Sequence, residues 1–331
     1  MSSNTGFPRP CRVVSLHLTT APDLPDSDTC SLLVSSYFKT VNLMYPFVQK
    51  TTMDNIVPIA LEHGLEHLTH RYGIAILMQV YLVLLLGSHA QPNILQPLQV
   101  ERLQGYCKTL YGHVLSDGNL EGSRALALLA LQYKYQGNDN AAWLTLSQCI
   151  SLAKSLDMIV PRLNYQRDSA SRKLKDLTDG ERLWWTLYCL EKLFAFELGR
   201  SSSSLEPHLH QSRILTSTPG LQSEGMREFS IIISLADVLH QISTQCVRAG
   251  AREENSPEPQ AIRAAVIAKV RASEECCMLL SEWTEGVPVP FRYVLFSCPP
   301  PKRFLLPLTL LAQFAAVSDT LIPLNFKRIQ I

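Results

Sequence analysis

Three things are missing from this 331-residue chain: paired metal-ligating cysteines, glycosylation sequons and the common catalytic signatures. Nine cysteines occur, but no two stand as C-x2-C, the close spacing with which thiolates clasp or share zinc. Cys11 and Cys30 have 18 residues between them, and adjacent Cys276 and Cys277 diverge around a helix. Nor does a dense disulfide framework fit this count over this length. No Asn-x-Ser/Thr site with a permissive middle residue is present, and the N-terminal MSSNTGFPRPCRVV lacks the apolar core of a secretory signal. These absences together predict a reduced intracellular compartment.

Charge of one sign is also scarce. Charged residues make up 18%, the net charge is +1 and the isoelectric point is near 7.6, which argues against a chain-wide nucleic-acid footprint. The most apolar run, Ile74 to Leu86, is interrupted by Gln79 and Tyr81. It is shorter than the roughly 20 residues a membrane span needs, so it predicts a buried core helix and no membrane association. There is no G-x-S-x-G elbow, no phosphate-binding G-x-x-x-x-G-K-(S/T) loop and no G-x-G-x-x-G turn. No cofactor and no catalytic residue are expected. One metal-like pattern survives: His63-Gly64-Leu65-Glu66-His67 matches H-x-x-E-H. On a continuous helix His63 and His67 would share a face and Glu66 would stand beside them, as in a metal-dependent hydrolase. Polar residues on the wet side of a helix explain the match equally well, and no downstream acidic ligand is identifiable. His63 and His67 are therefore weak metal candidates, and the expected metal site is none.

What is present is hydrophobic sequence, 46% of the chain, in helical spacing. No segment alternates with period two over several strands, so the prediction is all-α, a multi-helix antiparallel array. Residues 1–27, with Pro8, Pro10, Pro22 and Pro25, read as a flexible lead-in. Residues 28–320 read as one helical domain, with loops near 160–178, 201–224 and 249–260, and 321–331 as a short tail that looks like an early end. Within that domain, helices are expected after a cap at Asp26 to Asp28, at Ile74–Leu86, Leu98–Leu115, Glu121–Tyr135 and Ala141–Leu156. Further helices are expected at Met226–Val247, Ile262–Glu285 and Leu305–Thr320. Gly137-Asn138-Asp139 supplies a stop and a cap between two of them. Cys107, Cys149 and Cys189 fall in apolar helical patterns and read as small hydrophobes.

The best-specified helix is Asp179 to Arg200. Thr178-x-x-Glu181 forms a capping box, and Leu183, Leu187, Leu190, Phe194 and Leu198 recur at steps of three and four. Gly199 stands where a left-handed cap is needed, with Arg200 able to reach the last carbonyls. Glu181, Glu191 and Glu197 read as a solvated face. Trp184 and Trp185 point about 100° apart, so at most one lies centrally on the leucine stripe. Packing between neighbouring helices is the favoured role for both, the alternative being the lining of a small apolar effector pocket.

Arg182-Leu183-Trp184-Trp185-Thr186-Leu187-Tyr188, followed by Leu198-Gly199-Arg200, resembles the signature of the middle homology region of fungal zinc-cluster transcription factors. Arg182, Trp184, Trp185, Tyr188, Gly199 and Arg200 would be its structural signature residues. Tyr37-Phe38, Asn42, Tyr45-Pro46-Phe47-Val48 and Thr51-Thr52-Met53 resemble the family's opening block, with Asn42 where a histidine is common. The run from Ala127 to Met158 resembles its central helical hairpin, with Asp157 to Pro161 replacing the usual basic exit. Trp283 resembles a late family position. The family's six-cysteine zinc head has no counterpart here, so direct DNA binding by this chain is not expected. The resemblance implies a nuclear transcriptional regulator of a secondary-metabolite or nutrient gene set, not an enzyme. It would act through a DNA-binding partner or a homodimer partner and could take a small-molecule effector. Ser171-Arg172-Lys173-Leu174-Lys175 would be either a short nuclear address or a solvated loop. A helical interaction scaffold without a transcriptional role is the alternative.

Overall fold

The computed structural model describes residues 21–156, 179–200, 226–250 and 259–288. The described residues are all-α, and no strand occurs among them. In chain order the helices are α1 (Ser27–Lys39), α2 (Val41–Met44), α3 (Lys50–Tyr72), α4 (Ile74–Ala90) and α5 (Pro97–Asp117). They continue with α6 (Leu120–Tyr135), α7 (Asp139–Ser155), α8 (Asp179–Glu197), α9 (Met226–Gly250) and α10 (Pro259–Gly286). By its contacts the chain divides into two compact units. One comprises Met1–Asn42 with Phe47–Asp157, the other Leu43–Pro46 with Met158–Ile331. The expected loops near 160–178 and 201–224, the basic run 171–175, the Thr178 cap and the helix at Leu305–Thr320 lie outside the described residues.

The first unit is built around α4. Every residue from Ala75 to Gly87 is buried, as expected for a run apolar on all sides. Helices α1, α3, α5 and α6 pack on it. Its two interior polar residues are anchored: Gln79 Nε2 donates to the Glu121 backbone and side-chain oxygens, each at 2.9 Å, and Tyr81 Oη donates to the Pro22 carbonyl at 2.6 Å. That last bond fixes the end of the expected flexible lead-in. Among the described residues no helix is long and apolar enough to cross a membrane.

Caps fall where short polar side chains were expected. Asp26 accepts from the Thr29 amide at 2.9 Å and starts α1; Asn138 accepts from the Ala141 amide at 3.3 Å and starts α7. The α6–α7 hairpin closes the unit, with Leu146, Ile150 and Ala153 buried. Cys149 Sγ donates to the Ser123 carbonyl at 3.0 Å across that hairpin. Asn42, the departure from the family block, accepts from Tyr37 Oη at 3.3 Å and the Val48 amide at 3.4 Å. One side chain thereby ties Tyr37 of α1 to the backbone at Val48.

The second unit contains the signature helix. Helix α9 packs on both α8 and α10, through Phe229, Ile232, Ile233, Ala236, Leu239 and Ile242, all buried. Six of the nine cysteines have described side chains, and all six are free thiols. Burial lifts the Cys30 thiol to about 11 and pushes Cys107, Cys149 and Cys189 well above the ordinary thiol range, so these cysteines act as packing groups.

Candidate functional site

Helix α8 ends as its sequence demands. Gly199 adopts φ of 59°, a left-handed conformation that glycine reaches without a Cβ penalty. The Arg200 amide then bonds back to the Ala195 carbonyl at 2.8 Å, closing the helix by a Schellman-type bond from its backbone. The stripe Leu183, Leu187, Leu190 and Phe194 is fully buried.

The other faces of α8 differ from expectation. Leu183 through Ala195 are buried without interruption, including Thr186, Glu191 and Lys192. Glu191 is not on a solvated face: it is 2% exposed, and Lys192 Nζ donates to its Oε2 at 3.5 Å. Helical periodicity reports where the apolar stripe lies but not whether the opposite face is also covered, so a buried charge in a good helix reads as a wet one.

Trp184 and Trp185 are both buried. Their rings meet edge-on with centroids 4.7 Å apart, and Trp184 stacks on Tyr188 at 5.8 Å with 7° between planes. Trp185 meets Tyr188 edge-on at 5.6 Å. Offset and edge-to-face arrangements of this kind suit the ring quadrupoles. Lys192 Nζ stands 5.2 Å from the Tyr188 ring centroid, within cation–π range. The signature residues Trp184, Trp185 and Tyr188 thus form one aromatic cluster. Arg182 precedes it by half a turn, while Gly199 and Arg200 sit at the far end of the helix.

The cluster continues onto α9 through a residue that the sequence reading missed. Tyr188 Oη donates to Asp237 Oδ1 at 2.9 Å. Burial holds the Asp237 carboxyl up at about 6, against the downward pull of the Tyr188 hydroxyl and the Lys192 charge. Burial and the nearby Asp237 both push the Tyr188 phenol upward. The Tyr–Asp link spans 49 positions, so no local pattern announces it. A lone acid inside Ile231-Ile232-Ile233-Ser234-Leu235-Ala236-Asp237-Val238-Leu239 is the signal that could have found it. One polar atom in the cluster is orphaned: Trp184 Nε1 is buried with no hydrogen-bond partner. On the neighbouring α9–α10 pair, Trp283 Nε1 of α10 donates to Ser234 Oγ of α9 at 2.9 Å.

The H-x-x-E-H stretch does not have the geometry expected of it. Gly64 has φ of 82° inside α3, so the helix is kinked between His63 and His67. The two rings meet edge-on at 5.2 Å by folding around the kink, not by sharing a helical face. His63 is largely exposed and lies 3.9 Å from Glu62. Among the described residues, no group of three or more His, Cys, Asp or Glu side chains is placed to hold a metal.

The family described as the fungal specific transcription factor domain matches residues 34–256, which run from within α1 through α9. The chain belongs to that family. It is also similar to the lactose regulatory protein LAC9 of Kluyveromyces lactis, 28% identical over 186 residues. That similarity covers 54% of this chain and 19% of the relative, so the chain spans a small part of that protein's length. No solved structure matches. The matched range contains the aromatic cluster and its Asp237 partner, so the signature block and the family assignment point to the same helices.

Proposed function

We propose that the chain is a fungal-type transcriptional regulator that works in the nucleus through its helical region, with DNA contacts supplied by a zinc-cluster partner. The observation that carries this reading is the family match over residues 34–256 in 331 residues that hold no C-x2-C pair. A near-neutral charge balance supports delegation of DNA binding, because sequence-independent phosphate attraction requires a local excess of lysine and arginine. The similarity to a lactose regulatory protein favours a nutrient gene set, and a secondary-metabolite set is the other class the family resemblance brings. Deletion of the gene followed by transcript profiling tests the reading: a coherent gene set should change, and nuclear protein should co-purify with a zinc-cluster factor. An unchanged transcriptome would leave a helical scaffold as the function.

The orphaned Trp184 Nε1 favours one addition, in which the regulator responds to a small ligand bearing a hydrogen-bond acceptor. Such a ligand would raise the melting temperature of the wild-type protein and leave Trp184→Phe unmoved. Ligands that shift both proteins alike would sink this addition.

A further inference from the structure

Helix α3 is two arms joined at Gly64. Gly64 has φ of 82° and ψ of 165°, and Gly73, which closes the second arm, has φ of 90° and ψ of 167°. Glycine reaches this conformation freely, and residues with a side chain avoid it. A Cβ at either position would meet nothing within 4 Å, so neither glycine stands there for want of room. In the second arm, Leu65 to Tyr72, Leu68 is the one buried side chain. That single anchor and two glycines set where the arm lies.

The bend brings one imidazole of each arm together. His63 ends the first arm, His67 stands in the first turn of the second, and their ring centroids are 5.2 Å apart. With each nitrogen about 2.0 Å from the metal and each ring centre roughly 1 Å beyond it, two imidazoles on one tetrahedral cation have centres about 5 Å apart. The two rings therefore stand at the separation that a shared cation imposes. Both are exposed, so rotation about side-chain bonds can aim two nitrogens at one point without disturbing the core.

Local charge favours a cation there. Glu62 Oε2 lies 3.9 Å from His63 Nε2, and Glu66, also exposed, directly precedes His67. Arg71, further along the second arm, holds its guanidinium carbon 5.3 Å from the Tyr72 ring centroid. From Glu62 to Tyr72 the fixed charges are thus two carboxylates against one guanidinium, with His70 as a third imidazole one turn past His67. The arrangement differs from an H-x-x-E-H hydrolase centre, because the two histidines come from separate arms and Glu66 has no part in it.

We propose that His63 and His67 form a two-histidine site for a divalent transition cation of the zinc class, with water completing the coordination and Glu62 supplying negative charge beside it. Imidazole nitrogen suits zinc, nickel and copper, whereas magnesium and calcium require oxygen ligands. By spanning Gly64 the cation clamps the second arm of α3 at one angle. Two protein ligands are fewer than the three or four of resident zinc sites, so the cation is exchangeable. The site uses no thiolate and is separate from the family's six-cysteine head. It does not depend on the transcriptional reading, because metal binding is measured on the purified chain whatever genes it controls.

Calorimetric titration of Zn2+ into the full chain, with thiols kept reduced, tests the proposal. Thiols elsewhere can also take zinc, so the deciding quantity is the difference between wild type and variants. His63→Ala and His67→Ala should each weaken one zinc site at least tenfold, and His70→Ala should leave it unchanged. Amide exchange over Leu65 to Tyr72 should slow several-fold on adding Zn2+ to wild type, and stay as it was in His67→Ala. All three histidines are exposed, so unchanged circular dichroism melts will confirm folding. A zinc isotherm that His63→Ala and His67→Ala leave intact overturns the proposal, as does an equal loss in His70→Ala. Zinc-dependent protection that persists in His67→Ala rejects the clamp across Gly64, and the proposal with it.

Discussion

Helices α4 and α8 are both buried along their length, one in each unit, but their interiors differ in kind. Helix α4 is sealed by hydrocarbon, and Gln79, its one strongly polar interior side chain, is neutral and bonded. Helix α8 brings Glu191 and Lys192 inside, and Tyr188 reaches an acid on α9. An apolar interior tolerates error in charge poorly and error in volume hardly at all. A charged interior depends on partners that must all be present. The first arrangement suits a framework, and the second suits a place whose state can be altered by a proton or a ligand.

The largest expected effect comes from removing one charge of the α8 pair. Lys192→Met leaves Glu191 buried without this counter-charge and should destabilise the second unit by about 3–5 kcal/mol. Glu191→Leu combined with Lys192→Met should recover most of the loss, because two apolar groups replace two charges. Urea denaturation followed by tryptophan emission reads this unit selectively: Trp184, Trp185 and Trp283 belong to it, and Trp143 alone belongs to the other. A neutral Lys192→Met would erase the contrast between the helices.

Volume is the corresponding test of α4. A Cβ on Gly87 would run into the backbone carbonyl of Leu33, where α1 crosses α4. Gly87→Ala should therefore cost about 3 kcal/mol, at the upper end of overpacking effects, since the obstacle is backbone and cannot rotate away. The loss should appear in far-UV circular dichroism with the emission of the second unit unchanged.

Protonation sharpens the contrast further. The folded value of Asp237, about 6, lies above the ordinary aspartate value of 3.8. Between those values the unfolded chain loses its proton first, so stability falls as pH rises from about 4 to 6 and is level above that. The full penalty is on the order of 2–3 kcal/mol at about 1.4 kcal/mol per unit. Asp237→Asn keeps an acceptor for Tyr188 and should flatten this slope, giving a variant more stable than wild type at pH 7 and equal to it near pH 4. An unaltered profile would show that Asp237 is not the group being titrated.

These contrasts were unequally legible in the sequence. The helices bounded by Asp26, Asn138 and Gly199 were readable, because caps and apolar spacing are local signals, whereas α3 was not among the helices expected. The α4 core was readable for the same reason: a run apolar on every side has nowhere to go but inward. Three features escaped. Gly64 turns α3 aside, and a single glycine in a helical pattern gives no sign whether it will kink. Glu191 and Lys192 lie where a period-3.6 pattern predicts solvent, since that pattern cannot see a second covering layer. The Tyr188–Asp237 bond joins positions on different helices and depends wholly on how α8 and α9 meet.

The smallest effect tests whether local signals in the first unit matter energetically or only mark boundaries. Asn119 accepts from the Gly122 amide at 2.7 Å and caps α6. Asn119→Ala removes one such bond, worth about 1 kcal/mol at a helix N-cap. Gly122 limits how α6 can adjust, because a Cβ there would press on the Val114 carbonyl at 3.0 Å. The helix start is thus held by packing against α5 as well as by its cap. If packing dominates, Asn119→Ala should lower stability by less than Asn138→Ala, next to which a Cβ on Gly137 would meet nothing within 4 Å. Equal losses at the two caps would mean that the close approach of α5 and α6 adds nothing to the stability of that junction.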